Sequence, residues 1–388
     1  MIRGRRGSQN LKNQMTKCEE CNENYYIENN EWCKSCNSKH LQNDFEKLTA
    51  NNEVKKFFQK IQNEVDSPYI VLEWISYNEL KIKNKIGEGG FGIVYFAIWN
   101  NGPIINLNYP ENENLLYEIE QYTKLKDNTF FVRCFGISQN PETKAYIMVM
   151  EYIPYGSLDK YDITNMIWKD RIKALLDISN GLEQLHECNL THQDFHSGNL
   201  LFSIQKNLLI TNLSLCEAVN EKSNVKYGVV PYMAPELLFD KKTYTAKADI
   251  YSFGMIMYFI ATGNQPFANY DDYYSLAKEV KYNNFRPKIK DLEIPESYIK
   301  LIKKCWASNP DDRPIINDIK EEIRLYYQHP KLYGIEKAEQ YLKANEIQKY
   351  PQIFYRSKIF NSKETIKNDY SLELKGVQSW SNYDLDKL

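Results

Sequence analysis

The sequence predicts an α+β fold behind a small cysteine-rich module, and three observations carry that prediction. Strand-like alternation in "YIVLEWISYNELKIKNKI", residues 69–86, opens a densely apolar stretch that runs from Trp74 to about Ile323. Helical spacing then dominates, at 115–126, 168–187, 246–262 and 296–306. Ahead of both, Cys18, Cys21, Cys33 and Cys36 crowd into 19 residues.

Bulk properties exclude several classes. The chain has 388 residues, is 43% hydrophobic and 26% charged, and so can bury a real core. Its formal net charge of −2 gives no electrostatic reason to expect nucleic acid or an anionic membrane as partner. The start, "MIRGRRGSQNLKN", is basic without an apolar h-region, so no secretory signal is read there. The longest apolar run, residues 250–263, is too short to span a bilayer and reads as a buried core helix, so no membrane insertion is expected. Cys134, Cys188, Cys216 and Cys305 are scattered singly in apolar surroundings, the pattern of small buried hydrophobes. With the missing signal, that points to a reducing, intracellular and cytoplasmic setting.

Taken in order, residues 1–17 are polar and expected to be disordered. Residues 18–40 hold the cysteine module. Residues 41–73 read as a helical linker, with apolar positions at Phe45, Leu48, Phe57, Phe58 and Ile61. Residues 74–327 form the main domain. Residues 328–388 are a short polar helix, expected at 335–347, and a mostly unstructured tail. No internal repeat marks a solenoid.

"CEECNENYYIENNEWCKSC" has the spacing C-x2-C-x11-C-x2-C. Four thiolates so paired can close a tetrahedral site for a structural Zn2+. A reduced cysteine cluster or a redox pair are the alternatives, and two copies of C-x2-C argue against the redox motif. The acids Glu19, Glu20, Glu23, Glu28 and Glu31 within the module argue against nucleic acid.

"KIGEGGFGIVY" follows G-x-G-x-x-G-x-V through Gly87, Gly89, Gly92 and Val94, where glycines let a backbone approach phosphates. About 100 residues on, "THQDFHSGNL" sets Asp194 and Asn199 five apart in the frame H-x-D-x-x-x-x-N. "VVPYMAPELL" supplies Glu236, "ADIYSFG" supplies Asp249, and "CWASNPDDRP" supplies Arg313. In this order and spacing, residues 79–325 resemble the eukaryotic protein kinases, and "GVVPYMAPE" with "DIYSFGMIMY" resembles their tyrosine-kinase-like branch. The cysteine pairs, helical linker and "LEWISY" also resemble kinase families expanded in mycorrhizal fungi.

The resemblance implies a bilobal protein-kinase fold, with a mostly antiparallel sheet and one helix in the N-lobe and a mainly helical C-lobe. It implies roles as well. Glu118 is the helix glutamate that pairs with a strand lysine. Met150 is the gatekeeper, with Glu151, Tyr152 and Ile153 as the hinge facing adenine. Asp194 accepts the substrate hydroxyl proton and Asn199 holds a second magnesium. Glu236 and Arg313 form a buried ion pair, and Asp249 braces the catalytic loop.

Three positions depart from the pattern. No lysine occurs between Lys85 and Lys124, so Ile105 or Asn106 takes the place of the strand lysine in a short segment. Asn212, Leu213 and Ser214 stand where D-F-G belongs. Leu213 can fill the apolar slot, but Asn212 carries no charge. A dication and a carboxylate ~3 Å apart attract by on the order of 10 kcal/mol gross at an effective dielectric of ~20, much of it offset by desolvation. Gln193 replaces the arginine of H-R-D, which receives a phosphorylated activation loop. Ser223 and Tyr227 lie in that loop.

Two function classes follow. One is a pseudokinase that signals through its shape to protein partners, with ATP binding optional. The other is an active or weakly active kinase that moves the γ-phosphate of ATP, with Mg2+, to Ser, Thr or Tyr of protein substrates.

Overall fold

The structure is a computed structural model that describes residues 15–22, 24–26, 36, 52–64, 71–89, 92–100, 102, 104–110, 115–125, 129–218, 226–239, 243–270, 272–289, 294–344 and 358–360. The expectations for residues 1–14 and 41–51, for Cys33 and for Ser223 lie outside the described residues.

The first elements are β1 (Met15–Lys17) and β2 (Asn24–Tyr26), an antiparallel pair around Cys18 and Cys21. Disorder was expected up to residue 17, and β1 corrects its last three positions. A three-residue strand shows no period of its own, because its partner specifies it.

Helix α1 (Asn52–Glu64) follows and buries Val54, Phe58 and Ile61, one stripe at helical spacing. A six-stranded sheet comes next, built from β3 (Glu73–Trp74), β4 (Leu80–Gly89), β5 (Gly92–Trp99), β6 (Ile104–Pro110), β7 (Cys134–Gln139) and β8 (Tyr146–Glu151). Its order is β3-β7-β8-β6-β5-β4, antiparallel except for β3 on β7. Helix α2 (Leu115–Lys124) crosses between β6 and β7 and turns Leu115, Glu118, Ile119, Gln121 and Tyr122 inward.

The C-terminal half is mainly helical. Helix α3 (Trp168–Glu187) packs on α4 (Ala246–Thr262), which is buried along nearly its whole length, as its unbroken apolar run requires. The fully buried Arg171 joins them by donating to the carbonyls of Met166, Ile163, Ile260 and Ala261. Helix α4 ends at Gly263, whose φ of 74° is a left-handed cap that glycine adopts without a Cβ penalty. Helices α5 (Tyr273–Tyr282), α6 (Glu296–Cys305), α7 (Ile316–Gln328) and α8 (Ile335–Ala344) complete this half. No helix of the described residues is long and apolar enough to cross a membrane.

Short strands frame the cleft between the halves. They are β9 (Leu190–Thr191), β10 (Leu200–Phe202), β11 (Leu208–Ile210), β12 (Glu217–Ala218) and β13 (Lys226–Gly228). A last strand, β14 (Lys358–Phe360), pairs antiparallel with β13. It is a short ordered piece within a tail expected to be mostly unstructured. Here too the partner strand, and no local pattern, makes the strand.

Candidate active site

The hairpin of β4 and β5 carries the Gly-rich motif, with Gly87 opposite Val94 and Gly89 opposite Gly92. The short segment that lacks lysine still forms a full strand. β6 pairs with β5 on one edge and β8 on the other, so the strand is kept and only its cation is missing. Asn106 stands opposite Met150, and Asn108 stands opposite Val94 of the Gly-rich hairpin. Of the two positions weighed for the missing lysine, Ile105 stands opposite Ala97 and Asn106 opposite Phe96 of β5.

Helix α2 places Glu118 in the interior, 5% exposed. Its carboxylate accepts the backbone N–H of Leu213, and burial pushes its pKa up to about 7. Leu213 is itself fully buried in the main core, so it does fill the apolar slot. A second tie runs from the Tyr117 hydroxyl to the carbonyl of Cys216, 2.7 Å away. Met150 in β8 and Ile153 just after it are buried, and Glu151 donates its N–H to the Arg133 carbonyl at 2.8 Å. Tyr152 meets Phe96 of β5 edge-on, with ring centroids 4.9 Å apart.

Asp249, near the start of α4, organises the loop after β9. Its carboxylate accepts the N–H groups of His192 at 2.9 Å and Gln193 at 3.2 Å, and lies 3.0 Å from Nε2 of His186. Those bonds hold Gln193 at a φ of 65°, a left-handed conformation unusual for this residue type. His192 is fully buried, and desolvation lowers its pKa, so the ring is neutral. Its Nδ1 accepts the Asp194 N–H at 3.3 Å, which puts the proton on Nε2 for donation to the Thr211 carbonyl at 3.1 Å.

The loop brings Asp194, Asn199 and Asn212 together. Asn199 donates through Nδ2 to the Asp194 carbonyl at 2.8 Å and to its Oδ2 at 3.0 Å. Asn212 donates through Nδ2 to Asp194 Oδ2 and to Asn199 Oδ1, both at 3.4 Å. Its Oδ1 accepts the Ser214 hydroxyl at 2.6 Å, and the two acceptors opposite Nδ2 fix the orientation of the carboxamide. Asn212 has a φ of 63°, which asparagine tolerates better than most residues. His196, two residues after Asp194, reaches Oδ2 of that residue through Nε2 at 3.5 Å. Nothing in the sequence singled out His196, because its part depends on side-chain direction.

Glu236 and Arg313 form a buried bidentate pair, with both N–O distances 2.7 Å. Arg313 also donates to the carbonyls of Lys247 and Ala307, so its planar fork is well satisfied.

Comparison with known proteins agrees with this geometry. The model of the protein tyrosine and serine/threonine kinase family matches residues 80–323, well over half of the chain. The chain belongs to that family. It is 31% identical over 71% of its length to the dual specificity protein kinase pyk3 of Dictyostelium discoideum, covering 21% of that protein. A probable serine/threonine-protein kinase of the same organism is 31% identical over 68% of the chain and 20% of its own length. The corresponding figures for the probable serine/threonine-protein kinase gdt2 are 28%, 64% and 16%. The chain therefore spans about a sixth to a fifth of the length of these relatives.

A kinase domain uses ATP with Mg2+, and the donor set at Asn212 does not fit that cation. Asn199 Oδ1, the oxygen expected to hold a metal, faces an N–H of Asn212, as does Oδ2 of Asp194. The one carbonyl oxygen of the Asn212 side chain is turned to Ser214.

The cysteine module tells the opposite story. The sulfurs of Cys18, Cys21 and Cys36 lie within 4.8 Å of one another, and Cys18 and Cys36 are 3.7 Å apart. That is far beyond a disulfide bond. It is close to the ~3.8 Å edge of a tetrahedron whose metal–sulfur bonds are ~2.3 Å.

Proposed function

We propose that this chain is a pseudokinase, a kinase-fold signalling protein that acts on protein partners through its shape and binds nucleotide, if at all, without Mg2+. One observation carries the reading: the Asn212 carboxamide inserts its N–H groups between Asp194 and Asn199. A neutral donor there satisfies both acceptors, so the loop holds its form with no dication. Glu118 supports the same reading. A carboxyl raised by burial and bonded to a backbone N–H needs no strand lysine to keep α2 in place. Catalysis in this family is mostly positioning and charge stabilisation around the γ-phosphate, and both cationic anchors are missing.

The second reading is a weak kinase for Ser or Thr of protein substrates, and the intact Asp194–Asn199 contact favours it. Asp194 would then be the base. The deciding experiment measures phosphate transfer from ATP with Mg2+ or Mn2+, comparing wild type with Asp194→Asn, alongside nucleotide binding with and without EDTA. The pseudokinase predicts equal background transfer and binding indifferent to EDTA. Transfer present in wild type and lost in the variant overturns it.

In the module, Cys18, Cys21, Cys33 and Cys36 are proposed to hold one structural Zn2+. Four protein ligands leave no open position, so the metal would fold the module and do no chemistry. The domain limits 18–40, 41–73 and 74–327 are part of the same proposal.

A further inference from the structure

β13 and β14 form a two-stranded sheet of their own, with Lys226 opposite Phe360, Tyr227 opposite Ile359 and Gly228 opposite Lys358. The pairing joins two places far apart in the sequence. β14 belongs to the tail, thirteen residues beyond α8, and an extended chain covers ~3.5 Å per residue, so the connection reaches tens of ångströms. β13 belongs to the segment that leads from Asn212 to Glu236.

The place where β13 ends makes the pairing consequential. Gly228 has a φ of 145°, and a Cβ built on it would stand 3.2 Å from Cγ of Met233 and 3.9 Å from Oδ1 of Asp194. A side chain at Gly228 would press on Met233 and reach van der Waals contact with the Asp194 carboxylate, so this end of β13 lies next to that residue. Asp194 is 2% exposed. The cavity beside it, lined by Asp194, His196, Gly228, Tyr232 and Met233, has a volume of about 10 Å³. That is space for one water and for no residue of another protein.

We propose that the chain's own tail docks as an added antiparallel strand on Lys226–Gly228 and holds that segment closed over Asp194. An added strand gains backbone hydrogen bonds whatever the side chains are, so any extended segment of a partner or substrate competes for the same edge. The tail must leave before such a segment reaches the loop. The device does not depend on whether the protein transfers phosphate.

Hydrogen exchange on the full-length chain tests it. Of two consecutive strand residues, one points its N–H at the partner, so replacing both Ile359→Pro and Phe360→Pro removes a ladder bond in either register. Amides of Lys226–Gly228 should then exchange at least ~10-fold faster than in wild type, while those of α3 and α4 keep their rates and show that the domain is folded. Unchanged exchange at Lys226–Gly228 overturns the proposal. A synthetic peptide of residues 354–364 should bind the double variant and restore protection there, and should bind wild type at least ~10-fold more weakly, because the tail already fills the edge. Equal binding to both proteins overturns it. Protection in wild type should survive tenfold dilution; loss on dilution would assign the strand to a second copy and overturn docking within one chain.

Discussion

Glu118 is where a missing residue has the clearest energetic consequence. Its folded-state pKa is raised from 4.5 to about 7, chiefly by burial, and the Leu213 N–H only partly offsets this. The folded state therefore holds its proton more tightly than the unfolded chain. Stability is fully present below pH ~4.5 and declines as pH rises towards 7, by on the order of 3 kcal/mol in total. Glu118→Gln keeps an acceptor for Leu213 and cannot ionise. Urea unfolding at pH 5 and pH 8 should show wild type and variant nearly equal at the lower pH, with the variant more stable by on the order of 3 kcal/mol at the higher. A difference that does not change with pH would mean that Glu118 has a cation beside it. Asn212→Asp makes the complementary test. A carboxylate placed 3.4 Å from Oδ2 of Asp194 loses a donor and gains a like charge. The variant should lose about 1–3 kcal/mol in EDTA. Mg2+ at 100 times its Kd should return about 2.7 kcal/mol to the variant and leave wild type unmoved. Thermal unfolding with and without Mg2+ reads both effects.

Among elements, α1 does work that its sequence alone suggested only in part. Its apolar spacing announced a helix, but not the surface that the helix would cover. Val54, Phe58 and Ile61 join the same core cluster as Leu115, Ile119 and Tyr122 of α2, and Lys60 reaches Glu120 at 2.8 Å. The linker thus backs the helix that carries Glu118, on a chain with no lysine to pull that helix inward. Phe58 is fully buried and packs edge-on against Trp74. Phe58→Ala should cost about 3–5 kcal/mol in urea unfolding. The Lys60–Glu120 pair is largely exposed on the lysine side, so Lys60→Ala should cost less than ~1 kcal/mol. Comparable losses for the two would mean that charge, and not packing, holds α1 to α2. The same contrast explains what sequence reading reached. The long helices α3 and α4 show their period and lie where the sequence put them, at 168–187 and 246–262, whereas α5 and α7 were not singled out. The strands β1 and β14 have three residues each, too few for a period; each exists through its partner, and the partner of β14 is more than a hundred residues away in the sequence. In the site, Asp194, Asn199 and Asn212 could be read from spacing. The direction of the Asn212 amide could not, because it is set by the two acceptors opposite.

At the scale of the whole molecule, both flanks of the kinase domain bear on its cleft: α1 from the N-terminal side through α2, and the tail from the C-terminal side through β13. The cysteine module lies before α1, so its folding sets how the N-terminal flank begins. A module this small cannot bury enough apolar surface to fold alone, and metal binding would supply the missing free energy. The purified chain should carry about one zinc by elemental analysis, and Cys36→Ser should lose most of it. In the folded protein, amides of β1 and β2 should be protected while metal is bound and should exchange freely once a strong chelator removes it. The kinase domain has a large core of its own, centred on α3 and α4. Its urea midpoint should therefore change by less than ~1 kcal/mol equivalent on chelation. Two results would count against structural zinc: no metal in the purified protein, or β1 and β2 amides that exchange equally fast before and after chelation. A kinase-domain midpoint that falls together with the module would show instead that the two fold as one cooperative unit, and that the metal's stabilisation reaches the cleft through α1.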